Sequence, residues 1–140
     1  MKRFISLLTC IVVIPLLSTR LVSQTNLTKY SGNPILGPGP DAWDGVGVSG
    51  ATVLFDGSIF QMWYTGYHPD VEEIGYATST DGKNWTKYAG NPVLTRTVGG
   101  WDGNINDVCV VFANGEYKMY YSGAANGSSF HCAGHARQNQ

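Results

Sequence analysis

Two tryptophan–aspartate pairs are the first residues in this chain whose types could do chemistry. Trp43-Asp44 and Trp101-Asp102 are each followed by glycine. An indole ring can stack on the apolar face of a sugar ring, and a carboxylate can accept hydrogen bonds from sugar hydroxyls. In the structural alternative, each Asp bonds the amides of a turn and each Trp covers the edge of a sheet. All four residues are therefore candidates for binding carbohydrate, with the structural role left open.

Neither a cofactor nor a metal is predicted. His131, Cys132 and His135 lie close together, but no fourth ligand is spaced to complete a tetrahedral site. The run 45–50 has the spacing Gly-x-Gly-x-x-Gly, but no helix is expected after it, as a dinucleotide site requires. Cys109 and Cys132 are predicted on the first and third strands of one sheet. Two strand spacings separate them too far for a disulfide, so free thiols are expected.

The elements that must position these residues recur along the chain. The nine residues 28–36 match 86–94 at a shift of 58, and Trp-Asp-Gly recurs at the same shift. Residues 60–66 then match 117–123 at a shift of 57. So many matches in the same order indicate an internal repeat of about 57 residues.

Each repeat has the pattern of short β-strands. In Phe60, Met62 and Tyr64 a large side chain recurs at every second residue, which is the period of a strand. The intervening Trp63 is aromatic too, so both faces of this strand are expected to be buried. Asp56-Gly57 separates two apolar runs and favours a tight hairpin. Asp81-Gly82 and Asn114-Gly115 are predicted turns of the same kind.

About four short strands in each repeat predict an all-β fold in which the repeats are blades of a propeller. Blade 1 is expected over about residues 28–88 and blade 2 over about 86–140, with the repeat disrupted after about residue 128. Two blades do not close a ring. The prediction is an incomplete ring, which missing blades or self-association would have to complete.

The N-terminus has the pattern of an export signal. Lys2 and Arg3 precede an apolar run over 4–17, and polar residues follow. The run is short for a membrane-spanning helix, which needs roughly 20 residues. Residues 1–24 are expected to be a signal peptide and 25–140 a partial propeller, secreted or periplasmic, without a stable membrane anchor. An uncleaved interfacial helix is the alternative.

The charge beyond residue 24 argues against nucleic acid as a partner. Six Lys or Arg face ten Asp or Glu there, a formal net charge of about −4. Binding to nucleic acid depends on basic groups that neutralise phosphates. Aromatic residues are abundant instead, which suits a carbohydrate partner or a protein partner.

Three segments resemble the five-bladed propeller glycoside hydrolases. Residues 48–54 followed by 63–66 are similar to the invertase-type blade of glycoside hydrolase family 32, and 75–85 resembles the stretch that joins that blade to the next. Residues 106–108, Asn-Asp-Val, fall where families 32, 43 and 68 carry Arg-Asp-Pro. The resemblance implies part of a secreted glycoside hydrolase that acts on fructosyl- or arabinosyl-type bonds.

The resemblance also implies a role for Asp107. Three carboxylates line the central funnel in those families, and only the one that stabilises the transition state or tunes a pKa matches a residue here, Asp107. Asn106 replaces the Arg and is a candidate for substrate binding. Glycoside hydrolysis needs a pair of carboxyl groups, so the catalytic set is expected to be incomplete. The alternatives are a propeller that only binds carbohydrate or protein, and a non-functional remnant that does not fold stably. For Asp107 itself the alternative is an ordinary aspartate that begins a strand and bonds the nearby backbone.

Overall fold

The computed structural model describes residues 26–40, 43–129 and 131–138, and in these ranges the chain forms two antiparallel sheets. The first sheet has the order β1-β2-β3-β4, and the second has the order β5-β6-β7. The strands are β1 Gly47–Phe55, β2 Phe60–His68, β3 Val71–Ser79, β4 Thr86–Lys87, β5 Asn104–Ala113, β6 Glu116–Ala124 and β7 Cys132–Arg137. The all-β prediction is confirmed. The predicted signal peptide, residues 1–24, lies outside the described residues.

The segments that match in sequence lie on corresponding strands. In the first sheet Trp63 of β2 pairs with Tyr76 of β3, and in the second Tyr120 of β6 pairs with His135 of β7. The register of β1 against β2 shifts between Ser49 and Thr52, and that of β5 against β6 shifts at the matching place. The two sheets therefore have the same pairing pattern as far as β7.

The sheets and the segments that match in sequence do not begin at the same residues. Residues 86–94 begin with β4, the last strand of the first sheet, so the matching residues 28–36 correspond to a last strand and the first sheet begins at Gly47. The strand β7 also forms where the repeat was expected to be disrupted. Gly134 lies against the ring of Tyr121 as Gly75 lies against Tyr64, so the pattern of small residues continues there.

Most of the apolar core lies between the two sheets. Trp63 and Ile74 of the first sheet meet Ile105, Val108 and Val110 of the second. Burial of each large apolar side chain is worth about 1.5–3 kcal/mol, so the two sheets hold each other in place. Among the described residues no helix is long and apolar enough to cross a membrane.

A second core covers the opposite face of the first sheet. Met62, Tyr64 and Ala77 form it, and Ile35 and Leu36 from the N-terminal segment pack against it. The prediction that both faces of β2 are buried is confirmed. Residues 35–36 therefore hold the N-terminal segment on the face that points away from the second sheet.

The hairpin turns use the residues that the sequence indicated. Asn114 and Gly115 both have positive φ, 57° and 81°, between β5 and β6. That conformation at two successive residues matches the twist of antiparallel strands. Cys109 and Cys132 are free and lie on β5 and β7, as predicted.

Asp81 organises the turn between β3 and β4. Its carboxylate accepts hydrogen bonds from the backbone amides of Asn84 and Lys83, each at 2.8 Å, and from the Asn84 side chain, also at 2.8 Å. Ser79 Oγ donates a further bond at 2.9 Å. These bonds, that from the Asn84 amide most strongly, hold the pKa of Asp81 well below its ordinary value of 3.8.

We expect Asp81→Asn to lower the melting temperature by a few degrees at neutral pH. A carboxylate whose pKa is depressed by folding stabilises the fold above its unfolded pKa, and this contribution is lost as pH falls through the folded value. The difference between the variant and the parent should therefore narrow steadily below about pH 4. Thermal melts at a series of pH values test this, with Asp70→Asn as a control at another exposed turn. A difference that is constant with pH would contradict it.

Candidate functional site

The first strands of the two sheets meet at a pair of matching bulges. Gly50 in β1 and Asp107 in β5 both have positive φ, 53° and 50°. A Cβ atom on Gly50 would lie 3.5 Å from the backbone N and Cα of Asp107. Bulges re-aim side chains, and the Asp107 side chain is exposed. Asp107 therefore presents a carboxylate at the junction between the sheets.

Asn106 joins the two sheets beside Asp107. Its Nδ2 donates a hydrogen bond of 2.7 Å to Oε2 of Glu72, which lies near the start of β3. The Oδ1 atom of Asn106 is buried and has no hydrogen-bond partner among the described residues. Two carboxylates, one exposed and one held by an amide, thus flank Asn106.

Ser49 occupies the position in β1 that corresponds to Asn106. Its Oγ donates a hydrogen bond of 2.8 Å to the Tyr67 hydroxyl near the end of β2. Tyr67 pairs with Glu72 across the first sheet. We refer to Ser49, Tyr67, Glu72, Asn106 and Asp107 as the polar cluster. It offers hydroxyl, amide and carboxylate groups at one junction, the set of partners that a polyhydroxylated ligand requires.

A buried hydroxyl lies directly behind this junction. Thr65 Oγ1 is fully buried, lies 3.2 Å from the Cβ position of Gly50, and has no hydrogen-bond partner among the described residues. Leaving a buried polar atom unpaired costs about 1–3 kcal/mol. Together with the unpaired Oδ1 of Asn106, it marks a place where an additional polar partner would be stabilised.

The sequence analysis did not identify three members of the cluster as site residues: Ser49, Tyr67 and Glu72. Glu72 belongs to the only acidic doublet in the sequence, but that doublet matches nothing in the other repeat. Its contact with Asn106 depends on how the two sheets are rotated against each other. Periodicity within a strand contains no information about that rotation.

For Asp44 the structure favours the structural alternative. Its side chain is 1% exposed, and Oδ2 lies 2.6 Å from Nζ of Lys87 on β4. The Tyr64 hydroxyl donates to the same oxygen at 3.4 Å. The ring of Trp43 lies over Gly66 and Gly75. As the structure stands, Asp44 is not accessible to a ligand, and Trp43 covers the sheet.

The second pair is packed similarly, but no cation lies beside its carboxylate among the residues that the structure describes. Asp102 is 8% exposed and accepts a hydrogen bond of 3.5 Å from the Tyr121 hydroxyl. Burial and the nearby Asp102 carboxylate raise the pKa of Tyr121. Trp101 stacks on Tyr121 with the ring centroids 5.9 Å apart, yet it remains 47% exposed. Trp101 could therefore still stack on a sugar, although within the described part no hydrogen bond or ring contact joins it to the polar cluster.

A cavity of about 650 Å³ lies between the sheets. Gln61 spans it, because its Nε2 donates to the Tyr117 hydroxyl at 2.8 Å and its Oε1 accepts from the Tyr76 hydroxyl at 3.0 Å. Burial raises the pKa of Tyr76. The described residues contain no group of three or more His, Cys, Asp or Glu placed to hold a metal ion. The His135 ring packs against Tyr120, with the ring centroids 5.1 Å apart and the planes tilted by 34°.

Comparison with known proteins relates this chain to enzymes that act on glycosidic bonds. No protein-family profile matches it. Over 112 residues it is 29% identical to a β-1,2-mannobiose phosphorylase of Thermoanaerobacter sp. (strain X514), an alignment that covers 69% of this chain and 37% of that protein.

Two solved structures show the same fold. A glycoside hydrolase superposes with a TM-score of 0.65 at 20% identity, over 81% of this chain and 32% of that one. A structure from the GH130 family of mannoside phosphorylases superposes with a TM-score of 0.63 at 17% identity, over 79% and 37%. The chain thus spans about a third of the length of these proteins. The described part has a glycoside hydrolase-like β-propeller fold, and the expected likeness to that superfamily holds at the level of the fold.

Proposed function

We propose that this chain is part of an exported enzyme that cleaves glycosidic bonds, and that the polar cluster binds the sugar. The observation that carries the proposal is the position of Asp107. It presents an exposed carboxylate at a bulge where the first strands of two sheets meet, next to an amide that is fixed by Glu72. Export rests on the signal pattern of residues 1–24.

The chemistry available in the cluster supports binding more directly than bond cleavage. Glycoside cleavage generally uses two carboxyl groups, one of which donates a proton to the departing oxygen. Asn106 already donates to Oε2 of Glu72, whereas no side-chain hydrogen bond reaches the Asp107 carboxylate within the described residues. Asp107 therefore has more acceptor positions open to sugar hydroxyls. We assign Asp107 to holding the sugar and stabilising positive charge in the transition state. The acid and the nucleophile would then come from other blades.

Two resemblances to other proteins suggest two classes of sugar as the substrate. The phosphorylase relative suggests β-1,2-linked mannosides, and the resemblance of residues 48–54 suggests fructosyl- or arabinosyl-type bonds. The mannosides are the better first choice because that likeness extends over 112 aligned residues. Cleavage could use water or inorganic phosphate, as the names of the relatives indicate for those proteins.

We expect Asp107→Asn to weaken the binding of β-1,2-mannobiose by about 10- to 100-fold. A hydrogen bond to a charged group is worth about 1.5–3 kcal/mol, and each 1.4 kcal/mol is tenfold in affinity. Isothermal titration of the purified chain, together with a coupled assay for released mannose or mannose 1-phosphate, measures the effect. Arabinobiose and sucrose serve as comparison sugars.

Asp107→Gly is the matched variant. Glycine suits the positive φ of 50°, and Gly50 already occupies the corresponding place in β1, so the fold should be retained while the carboxylate is lost. Sugar binding that is unchanged in a stably folded Asp107→Gly chain would exclude the proposed role.

Because Oε2 of Glu72 is hydrogen-bonded to Asn106, a second candidate function is also favoured, a propeller that binds carbohydrate without cleaving it. The coupled assay distinguishes the two when it is run on a protein that also contains the blades proposed to supply the acid and the nucleophile. There, binding that depends on Asp107 but is never followed by turnover, even with phosphate present, indicates a binding module. Turnover that is lost in Asp107→Asn indicates an enzyme.

A further inference from the structure

The second sheet has an outer edge that no strand covers within the described residues. In the first sheet, β4 pairs with β3 at Ala77 and Thr78. The corresponding residues of β7 are Ala136 and Arg137, which pair on one side with β6. An uncovered strand presents unpaired backbone N–H and C=O groups and is a template for another strand.

The face beside this edge is also uncovered. Tyr120, which corresponds to Trp63, is 48% exposed, whereas Trp63 is 8% exposed. Val111 is exposed as well. Asp102 is 92% buried, yet among the described residues its Oδ1 has no partner and its Oδ2 has only the Tyr121 hydroxyl at 3.5 Å. The corresponding Asp44 has Lys87, a residue of β4. Within the part of the chain that the structure describes, the second sheet therefore has neither a fourth strand nor the cation that the strand would bring.

The N-terminal segment 28–36 has the shape of that strand. It matches 86–94 in sequence, and its internal geometry matches as well. The amide of Asn33 donates to Tyr30 O at 3.3 Å, as that of Asn91 donates to Tyr88 O at 3.2 Å. The approach of Tyr30 to Gly32 equals that of Tyr88 to Gly90, with the ring Cε1 atom 2.6 Å from the Cβ position in both. The segment is thus already folded like 86–94, although no strand pairs with it in the described residues.

The contacts of 86–94 indicate what 28–36 would do against β7. The Asn91 side chain forms two hydrogen bonds with the backbone of Tyr76: it accepts from the amide at 2.8 Å and donates to the carbonyl at 2.9 Å. Asn33 would form the same two bonds with the backbone of His135. Lys29, which is exposed and has no ion pair among the described residues, would reach Asp102 as Lys87 reaches Asp44.

We propose that copies of this chain associate head to tail, with segment 28–36 of one copy forming the fourth strand of the second sheet of the next. The strand cannot come from the same copy, because Ile35 and Leu36 are packed on the far face of the first sheet. In the assembly, that face would cover the Tyr120 face of the neighbouring copy. Such a heterologous contact closes into a ring or continues as a chain of copies. The inference does not depend on the proposed sugar-binding function.

The first test is the oligomeric state of the purified chain, measured by analytical ultracentrifugation over a range of concentrations. We expect concentration-dependent oligomers, association that is at least tenfold weaker in Lys29→Met, and association that is retained in Lys29→Arg, which keeps the cation. Lys29 is exposed, so the fold of the variants should be unchanged, which melting at low concentration checks. A chain that stays monomeric up to millimolar concentration would overturn the proposal. So would a Lys29→Met variant that associates as strongly as the parent.

The second test fixes the register. By analogy with Thr86 and Thr78, Thr28 of one copy should lie opposite Arg137 of the next. Residues paired in antiparallel strands have Cα atoms about 4.5–5.5 Å apart, which a disulfide can bridge. With the native cysteines replaced by serine, the pair Thr28→Cys and Arg137→Cys should give cross-linked oligomers on oxidation. The off-register pair Thr28→Cys and Ala133→Cys should not. A bridge within one copy, or equal cross-linking of both pairs, contradicts the arrangement.

Discussion

Replacing Gly66 with alanine should destabilise the fold by about 3 kcal/mol, which corresponds to a loss of roughly 10–20 °C in melting temperature. A Cβ atom at Gly66 would lie 2.6 Å from Cβ of Asp44 and 2.6 Å from Cε3 of Trp43. Both atoms belong to groups that are fixed by burial, so the Trp43 ring would have to leave the sheet. Glycine inside a strand often marks such a close approach. Urea unfolding followed by tryptophan fluorescence measures the loss.

Gly47→Ala is the matched control, because Gly47 also lies in a strand and the nearest atom to its Cβ position is 4.0 Å away on Tyr67. We expect this variant to be as stable as the parent. In a Trp43→Ala background, Gly66→Ala should cost less, because the clash with the ring is gone and only the one with Cβ of Asp44 remains. Equal losses in both backgrounds would show that the contact with Trp43 is not the cause.

The sequence predicted the local features of the fold because they depend on neighbouring residues. Asp56-Gly57, Asp81-Gly82 and Asn114-Gly115 form the expected turns, since each supplies a residue that tolerates positive φ or a carboxylate that binds turn amides. Alternation in β2 predicted a strand buried on both faces. These patterns repeat within a few residues and can be identified without knowledge of the rest of the chain.

The boundaries of the sheets could not be predicted in the same way. A repeat has a period but no marked beginning, so the match of 28–36 with 86–94 does not reveal that 86–94 starts on the last strand of a sheet. The repeat was expected to be disrupted after about residue 128 because His135 and Cys132 replace the residues that are familiar from β3. Only Gly134 and Ala136, which fit against neighbouring rings, preserve the pattern.

The candidate site was predicted in part. Asp107 lies in the first strand of its sheet, and its role in binding remains a prediction. The Trp-Asp pairs were offered as binding residues with a structural alternative. Burial of Asp44 favours that alternative, and the sequence contains no measure of burial at a loop. Glu72 was inaccessible to sequence reasoning because its partner lies on another sheet.

Lys87→Met should cost about 3–5 kcal/mol, because it leaves the buried carboxylate of Asp44 without its cation. Methionine keeps the apolar stem of the side chain, so lost packing contributes little. The attraction of Lys87 to the Tyr64 ring, 5.6 Å from Nζ, adds about 0.5–1 kcal/mol to the loss. Lys83→Met is the control: Lys83 is exposed, its Nζ lies 5.2 Å from the centroid of the Tyr30 ring, and the variant should be nearly as stable as the parent.

The double variant Asp44→Asn, Lys87→Met separates charge from shape. Removing both charges takes away the unpaired ion, so most of the lost stability should return, and a double variant as unstable as Lys87→Met would contradict the ion-pair explanation.

Asp102 provides the comparison inside the same chain. It is buried in the same motif without a cation, so Asp102→Asn should be neutral or stabilising in dilute solution, where copies are separate. The same change should weaken association at high concentration if Lys29 of a second copy is its partner. The stability of the fold would then depend differently on the Asp44 and Asp102 carboxylates. The cause would be a single difference, the lysine that a fourth strand places beside Asp44.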